Sequence, residues 1–400
     1  MSFFIAILGL GLLVLVHEAG HFFTARAVGM SPRRFYIGFP PPLVKVRRKG
    51  IEYGIGAIPL GGYVKIPGMH RPAPSDLDMH FGSALAEAPQ LIGPVEHIKR
   101  RLAEGDMTGA RELLPELEEA LGRPQLSGQA LKSSRRGLNE LKDGLGDDAY
   151  WRQRTWKKVA VIFAGPGTNL LFAVVLFTAL FLVSSGGTRL GFAIKADAPV
   201  VEQVRADRPA GRMGLKPGDR IVEVNGQAVT RVEDVPRLIQ ASKGGVRLRV
   251  RRGGKFLTLG PTKPRAEPRL SVPSATWQSL KLTGVVTKEI GASLVKLVHG
   301  QGRKDVSSPV GIVQGSSEAL KQGLDTYFWV LGLLSLSLAL LNLLPLLPLD
   351  GGHIAFSIVE GIRGRAVGRE VYERVSAVGI ALVLLLFFIG LSNDVGRLGN

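Results

Sequence analysis

The alternation of apolar and polar segments along the chain predicts about four membrane-spanning helices. A span needs about 20 residues, and the candidate runs lie at roughly residues 3–25, 159–184, 327–349 and 375–391. A signal peptide is the alternative interpretation of the first run. Signal peptides carry basic residues before the apolar region, whereas here Arg26, Arg33 and Arg34 follow it. We therefore expect the first run to be a transmembrane helix.

The segments between these runs contain shorter patterns. Residues 214–229, GLKPGDRIVEVNGQAV, predict a strand and a tight turn at Asn225-Gly226. A short helix is expected over 232–241 and a hairpin over 245–259. Residues 280–298 are helical in period but too polar to span, which favours an interfacial helix. Two amphipathic stretches within residues 70–150, at 96–121 and 131–145, predict a solvated helical hairpin, and a regulatory or docking role is the alternative.

Charge and composition narrow the class of protein. The chain has 51 Lys+Arg against 33 Asp+Glu and a net charge of +18. No nucleic-acid motif accompanies this charge, so we exclude a nucleic-acid partner. Cytoplasmic loops of membrane proteins concentrate Lys and Arg. The basic segments at 26–49, 152–158 and 363–374 are all cytoplasmic if the N-terminus lies outside, which puts residues 186–325 on the exterior.

A histidine-glutamate motif, HEAGH, ends the first apolar run. Residues four apart share one helix face, so His17 and His21 can face a single metal ion, with Glu18 beside them. Two satisfied histidines near a helix end are the alternative, because so short a pattern recurs by chance. Ionisable groups in an apolar span are costly and need compensation. The chain has no cysteine, so any metal must be held by His, Asp or Glu.

A third ligand is predicted in NLLPLLPLDGG, residues 342–352. Asp350 is expected to end another apolar helix, where an isolated carboxylate is expensive. Pro345 and Pro348 break that helix, and the Gly351-Gly352 pair permits close backbone approach. A lipid-facing helix explains none of these features. Catalytic zinc sites usually have three protein ligands and one open position.

Together HEAGH, NLLPLLPLDGG and the PDZ-like domain predicted between them, residues 186–265, resemble the site-2 protease family of intramembrane zinc metalloproteases. The resemblance implies Zn²⁺ held by His17, His21 and Asp350, with Glu18 as the catalytic residue. The second proline of the later motif sits one residue further along than in some family members. Two interpretations of His353 stay open: it joins the zinc site as a further ligand, or, more simply, it packs behind the site.

Two further stretches resemble family elements. GIGAIPLGGYVKI (54–66) resembles a membrane-associated β-hairpin that presents substrate as an extended strand, and AGPGTNLLFA (164–173) resembles the motif of the second span. The resemblance makes Gly61, Gly62, Asn169 and Asn342 candidate substrate-binding residues. For each asparagine, bridging two helices is an equal alternative.

Residues 186–265 resemble a PDZ domain, a fold that binds peptides by adding a strand to a sheet edge. A β-rich domain without a ligand is the alternative. The family resemblance implies single-span membrane proteins as substrates, such as anti-sigma factors or signal-peptide remnants, in regulated intramembrane proteolysis. The PDZ-like domain would bind a peptide or exclude large ectodomains. The implied location is the cell inner membrane, as a multi-pass protein in the lipid bilayer.

The resulting fold prediction is a polytopic α-helical membrane protein with about four transmembrane helices, a membrane-associated β-hairpin and an exterior PDZ-like domain. A membrane scaffold without catalysis and a transporter are the competing classes. The intact Glu18 argues against the scaffold, and the lack of internal repeats argues against the transporter. The predicted segments are transmembrane helix 1 (1–30), hairpin segment (31–69), helical insert (70–156), transmembrane helix 2 (157–185), PDZ-like domain (186–265), interfacial helix and connector (266–325), transmembrane helix 3 (326–350), cytoplasmic loop (351–374) and transmembrane helix 4 (375–393).

Overall fold

The computed structural model describes residues 1–185, 188–195, 198–242, 244–266 and 269–398. The chain forms two compact units, Met1–Leu176 with Leu282–Asn400, and Phe177–Lys281. The helices are α1 (Ser2–Ala27), α2 (Pro74–Glu87), α3 (Ile92–Glu104), α4 (Met107–Glu112), α5 (Leu114–Gly122), α6 (Gly128–Leu145), α7 (Thr155–Ser184), α8 (Pro209–Arg212), α9 (Asp234–Ala241), α10 (Val272–Val298), α11 (Pro309–Gln322), α12 (Leu324–Asn342), α13 (Asp350–Arg363) and α14 (Arg369–Leu398). The strands are β1 (Arg34–Arg48), β2 (Ile51–Lys65), β3 (Thr188–Arg189), β4 (Phe192–Ile194), β5 (Val201–Val204), β6 (Arg220–Val224), β7 (Gln227–Ala228), β8 (Val246–Arg252), β9 (Lys255–Thr262) and β10 (Arg265–Ala266).

Within the residues that the structure describes, four helices are long and apolar enough to cross a membrane, which agrees with the number of spans predicted from the sequence. They are α1, α7, α12 and the part of α14 from Val371 to Arg397. Large apolar side chains such as Phe4 and Phe388 are exposed on their surfaces. That exposure suits contact with lipid rather than water, because soluble proteins rarely expose large contiguous apolar patches.

The third span ends earlier than predicted. Helix α12 ends at Asn342, and Asp350 begins α13 instead of ending the span, so the prediction for Asp350 was wrong in this respect. The predicted loop over 351–374 was also wrong, since α13 occupies much of it. The cause is the pair Pro345 and Pro348, which have no N–H to extend α12. An acidic residue is then favourable in the first turn of the new helix.

The glycines after Asp350 allow α13 to start directly against the preceding turn. A β-carbon at Gly351 would collide with the backbone carbonyls of Leu343 and Leu344. At Gly352 it would lie 2.5 Å from the backbone nitrogen of Leu347. Any larger residue would push the start of α13 away, and Asp350 with it.

The predicted hairpin is longer than expected and curls on itself. Strands β1 and β2 meet at Lys49 and Gly50, both with positive φ. Residues 34–37 pair on one side with 52–55 and on the other with 62–65. The ring of Phe22 on α1 packs edge-on against Phe35, with centroids 5.2 Å apart. This contact sets the sheet against the helix that carries HEAGH.

The insert between β2 and α7 is a domain of five helices, α2 to α6, so the predicted two-helix hairpin was wrong. The amphipathic stretch predicted over 96–121 is not one helix. It is divided by Gly105, which takes the left-handed conformation, and by Pro115 at the start of α5. Asp106 caps α4 by accepting a hydrogen bond from the Gly109 amide at 2.8 Å. The five helices share a core of buried residues that includes Leu77, Phe81, Leu91, Ile98, Leu117, Leu138 and Leu145.

The second unit, Phe177–Lys281, contains a four-stranded sheet of order β7-β6-β8-β9. The predicted strand before Asn225, the short helix and the hairpin around Gly253-Gly254 are all confirmed, as β6, α9 and β8-β9. Asp219, just before β6, is fully buried and accepts hydrogen bonds from Arg252 Nε and Nη2, each at 2.6 Å. This ion pair fixes the start of β6 to the end of β8.

Candidate metal centre

The motif of the first span lies on the inward face of α1. His17, Glu18 and His21 are each between 7% and 9% exposed. The spacing of four puts both imidazoles on one side of the helix. Their Nε2 atoms lie 3.2 Å apart, close enough to share one ion.

Asp350 completes the cluster from the start of α13. Its Oδ2 lies 3.1 Å from His17 Nε2 and 3.4 Å from His21 Nε2. Among the described residues, these three form the group of His, Asp or Glu side chains whose ligand atoms converge within 4.8 Å. The predicted ligands are therefore brought together from positions more than 300 residues apart in the chain.

The three atoms are close to the spacing that zinc requires. Zinc bonds to nitrogen and oxygen of 2.0–2.2 Å in a tetrahedral arrangement separate neighbouring ligand atoms by about 3.3–3.6 Å. The observed separations are 3.2, 3.1 and 3.4 Å, so each lies in this range or within about 0.2 Å of it. Asp350 Oδ2 is also buried without a hydrogen-bond partner. A buried carboxylate oxygen needs a partner, and a cation between the three atoms would supply it.

A backbone carbonyl and a glycine of α7 orient His21. The carbonyl of Val161 accepts a hydrogen bond from His21 Nδ1 at 2.8 Å, which leaves Nε2 unprotonated for a metal. The imidazole lies flat against Gly165, where a β-carbon would be 2.5 Å from Cε1 and 2.8 Å from Cδ2. This position belongs to the AGPGTN motif, and the absence of a side chain there makes room for the ligand.

Asn169, one turn further along α7, faces His17. It is fully buried, its Nδ2 lies 3.3 Å from His17 Nδ1, and its Oδ1 has no hydrogen-bond partner among the described residues. A metal on Nε2 requires the proton on Nδ1, which the amide oxygen accepts when it faces the ring. The backbone carbonyl of Asn169 accepts a hydrogen bond from the hydroxyl of Ser335 on α12 at 2.8 Å. Asn169 thus links three helices and orients one imidazole.

Glu18 points towards strand β2. A β-carbon at Gly62 would lie 2.9 Å from Glu18 Cγ, and the backbone N–H of Val64 faces its carboxylate. Gly61 is half-buried beside Gly62. The geometry brings a carboxylate, the three possible ligands and the edge of a strand to one place.

Two predicted residues, Asn342 and His353, do not join the cluster. Asn342 is half-buried at the end of α12. His353 Nδ1 lies 2.6 Å from the hydroxyl of Tyr372, and its ring is not among the converging ligand atoms. Sequence reasoning did not single out Val161, Gly165 or Ser335. The small-residue motif was the one available sequence signal for Gly165. The backbone carbonyl of Val161 and the side chain of Ser335 had no such signal.

Comparison with known proteins supports the chemistry of the cluster. The sequence model of Peptidase family M50 matches residues 5–386. The chain belongs to this family, the site-2 proteases. It is 29% identical to zinc metalloprotease Rip1 of Mycobacterium tuberculosis, over 93% of this chain and 88% of that protein. It is 28% identical to "Probable protease eep" of Enterococcus faecalis, over 97% of both chains.

Family membership establishes a zinc metalloprotease of the membrane. The predictions of the enzyme class and of Zn²⁺ are thereby confirmed, and the scaffold and transporter alternatives are wrong. Proteolysis within the membrane is the general activity of such an enzyme. The donor set of two imidazoles and one carboxylate fits the zinc ligands typical of catalytic sites.

Proposed function

We propose that this protein is a zinc endopeptidase that cleaves the transmembrane segments of single-span membrane proteins. The observation that supports this most is the convergence of His17, His21 and Asp350 beside Glu18. Two of the three donors and the glutamate lie on α1, a candidate membrane span. A water-filled cavity at that depth would bring hydrolysis to a bond that soluble proteases cannot reach.

In this proposal His17, His21 and Asp350 hold zinc. Bound zinc would lower the pKa of a water molecule and polarise the scissile carbonyl. Glu18 would accept the proton of the attacking water and pass it to the leaving amine. The carboxylate is well placed for both transfers, because it adjoins the two histidines and faces strand β2.

Strand β2 is proposed to hold the substrate in an extended form. Residues 62–65 pair with 34–37 on one side, and no described strand pairs with their other edge. A free edge accepts an additional strand through backbone hydrogen bonds. A helical substrate hides its peptide bonds, so it would unwind locally to pair there. Gly61 and Gly62 would then contact the substrate backbone closely.

The second unit is proposed to be a PDZ-like domain on the exterior face that selects substrates. Basic segments flanking the spans support a cytoplasmic site and an exterior second unit. The domain would admit stubs left by an earlier exterior cut, as in regulated intramembrane proteolysis of anti-sigma factors or removal of signal-peptide remnants. The relatives are bacterial, and we propose the cell inner membrane as the location.

The catalytic proposal is tested with full-length protein in detergent and a fluorescent single-span substrate. We expect Glu18→Gln to lose at least about 100-fold in kcat, as for removal of a general base, with its zinc content unchanged. Glu318→Gln is the matched control, because Glu318 is exposed on α11 and its ion pair among the described residues is with nearby Lys321. Cleavage by Glu18→Gln at the wild-type rate would refute the role of Glu18.

The selection proposal is tested by substrate design. One substrate carries an intact folded ectodomain and the other a short exterior stub with the same transmembrane segment. We expect the stub to be cleaved faster in membranes. Equal rates for the two substrates would refute a filter that acts by size, and peptide binding would then need a direct measurement.

A further inference from the structure

Four charged side chains connect the end of the β1-β2 sheet to the helical insert. Arg33 Nε donates to Asp143 Oδ1 at 2.8 Å, and Lys65 Nζ lies 2.8 Å from Asp143 Oδ2. Arg33 Nη1 also lies 3.0 Å from Asp148 Oδ2. Asp143 is 9% exposed, whereas both cations are about one-third exposed. One buried carboxylate therefore holds two cations, one from the start of β1 and one from the end of β2.

The two cations mark the start of β1 and the end of β2. The backbone N–H of Arg33 donates to the carbonyl of Lys65 at 2.7 Å, so the strand ends are already paired. Asp143 binds both side chains above that pair. Movement of Asp143 would thus move the end of β2 directly.

The end of β2 is also the part of the sheet that meets Glu18. The backbone N–H of Val64, next to Lys65, faces the Glu18 carboxylate. Gly62 lies so close to Glu18 that a β-carbon would be 2.9 Å from its Cγ. A path of direct contacts therefore runs from Asp143 through Lys65 and Val64 to Glu18.

The insert gives Asp143 a fixed base. Asp143 lies in the last turn of α6, whose neighbours Leu141 and Leu145 are buried in the five-helix core. Trp151 Nε1 donates to the carbonyl of Gly144 at 2.7 Å. Just beyond β2, the carbonyl of Pro67 accepts a hydrogen bond from the Tyr150 amide at 2.9 Å. Both sides of the charge cluster are thus anchored.

We propose that Asp143 is a positioning residue for catalysis, through which the helical insert sets the place of strand β2 against Glu18. The inference rests on the proposed role of Glu18 as proton acceptor. It gives the insert a task that its sequence did not indicate. The charge-assisted contacts of Asp143 hold β2 in place, and β2 in turn positions the carboxylate of Glu18.

The test compares full-length Asp143→Asn with Asp147→Asn. The first variant keeps the shape of the side chain and removes its charge. The second is a matched control four residues later, because Asp147 is exposed and pairs with Arg111 and Arg152 instead of the sheet. We expect kcat of Asp143→Asn to fall about ten-fold, since small displacements of a catalytic group are costly. Asp147→Asn should match wild type.

Hydrogen exchange separates positioning from loss of the fold. We expect amides of residues 62–66 to exchange faster in Asp143→Asn, while those of α2 to α5 keep wild-type protection. Asp143→Glu, which keeps the charge, should recover at least half of the wild-type kcat. Unchanged kcat in Asp143→Asn would overturn the inference, as would a loss of protection throughout the insert.

Failure of the broader proposal would look different. If wild type and Asp147→Asn cleave no single-span substrate, the proposed function fails and not the positioning contact. Exchange over residues 62–66 then still decides whether Asp143 holds β2. Equal exchange in wild type and Asp143→Asn would overturn the contact whatever the activity.

Discussion

Replacing Gly165 with alanine should displace His21, a proposed zinc ligand, without unfolding the helix that carries the change. A methyl carbon at this position would lie 2.5 Å from Cε1 and 2.8 Å from Cδ2 of His21. Ordinary carbon contacts are about 3.5–4.0 Å. The imidazole must therefore move by about 1 Å.

That movement is large compared with the tolerance of a metal site. Ligand distances in such sites hold to about 0.2 Å, and disturbing the groups that orient a ligand lowers metal affinity about 10–100-fold. This range corresponds to about 1.4–2.7 kcal/mol. Alanine in a helix interior is favoured over glycine by up to about 1 kcal/mol, so α7 itself should not be weakened.

The measurement is zinc affinity by competition with a chelating dye, followed by cleavage of the fluorescent substrate at limiting zinc. Gly167→Ala is the control on the same helix, since its methyl carbon would lie 3.2 Å from the ring of Phe163, which is 46% exposed and can move. We expect only Gly165→Ala to lose affinity and activity. Zinc affinity within two-fold of wild type in Gly165→Ala would refute the reasoning, as would equal losses in both variants.

Three further variants test other contacts. Gly351→Ala should lower zinc affinity at least about ten-fold, because its methyl would push α13 off the preceding carbonyls; unchanged affinity would contradict this. Asn169→Ala should lower zinc affinity about 10–100-fold through His17, whereas a rise in KM alone would instead favour the predicted substrate contact. Asp219→Asn should destabilise the second unit by about 2 kcal/mol, measured by hydrogen exchange of β6 in the full chain. Burial alone would raise the pKa of Asp219, but hydrogen bonds from Arg252 and its charge outweigh burial and lower that pKa. The pair therefore stabilises the fold above the usual aspartate pKa of about 4 and loses this effect as pH falls, so wild type and Asp219→Asn should converge in acid; a constant difference would contradict the pairing.

Local patterns in the sequence were enough for the spans and for two of the three residues of the metal cluster. Apolar runs of about 20 residues form helices in a bilayer, because their backbone groups must hydrogen-bond within the segment. The four helices are therefore predictable from the runs. The placement of His17 and His21 on one face follows from the helical period alone. The strand, turn and helix around Asn225-Gly226 were also predictable, because their signals act over neighbouring residues.

Asp350 was predictable as a candidate ligand only through its unfavourable context. A carboxylate in an apolar run demands a partner, but the pattern does not say that the residue starts a new helix. That outcome depends on the two prolines ending α12 and on two glycines packing against the turn. The meeting with His17 is a contact between distant parts of the chain, which no local pattern encodes.

Tertiary structure alone decided how the site is supported. The carbonyl of Val161 and the space beside Gly165 orient His21, yet neither a carbonyl nor a space has a sequence signature. The insert forms five helices around one shared core. In the sequence, its segments show only that each is amphipathic, not that they pack together. The sequence thus determined the elements and their chemical groups. Only packing between distant segments determined which groups meet, because burial and close contact are properties of the folded chain.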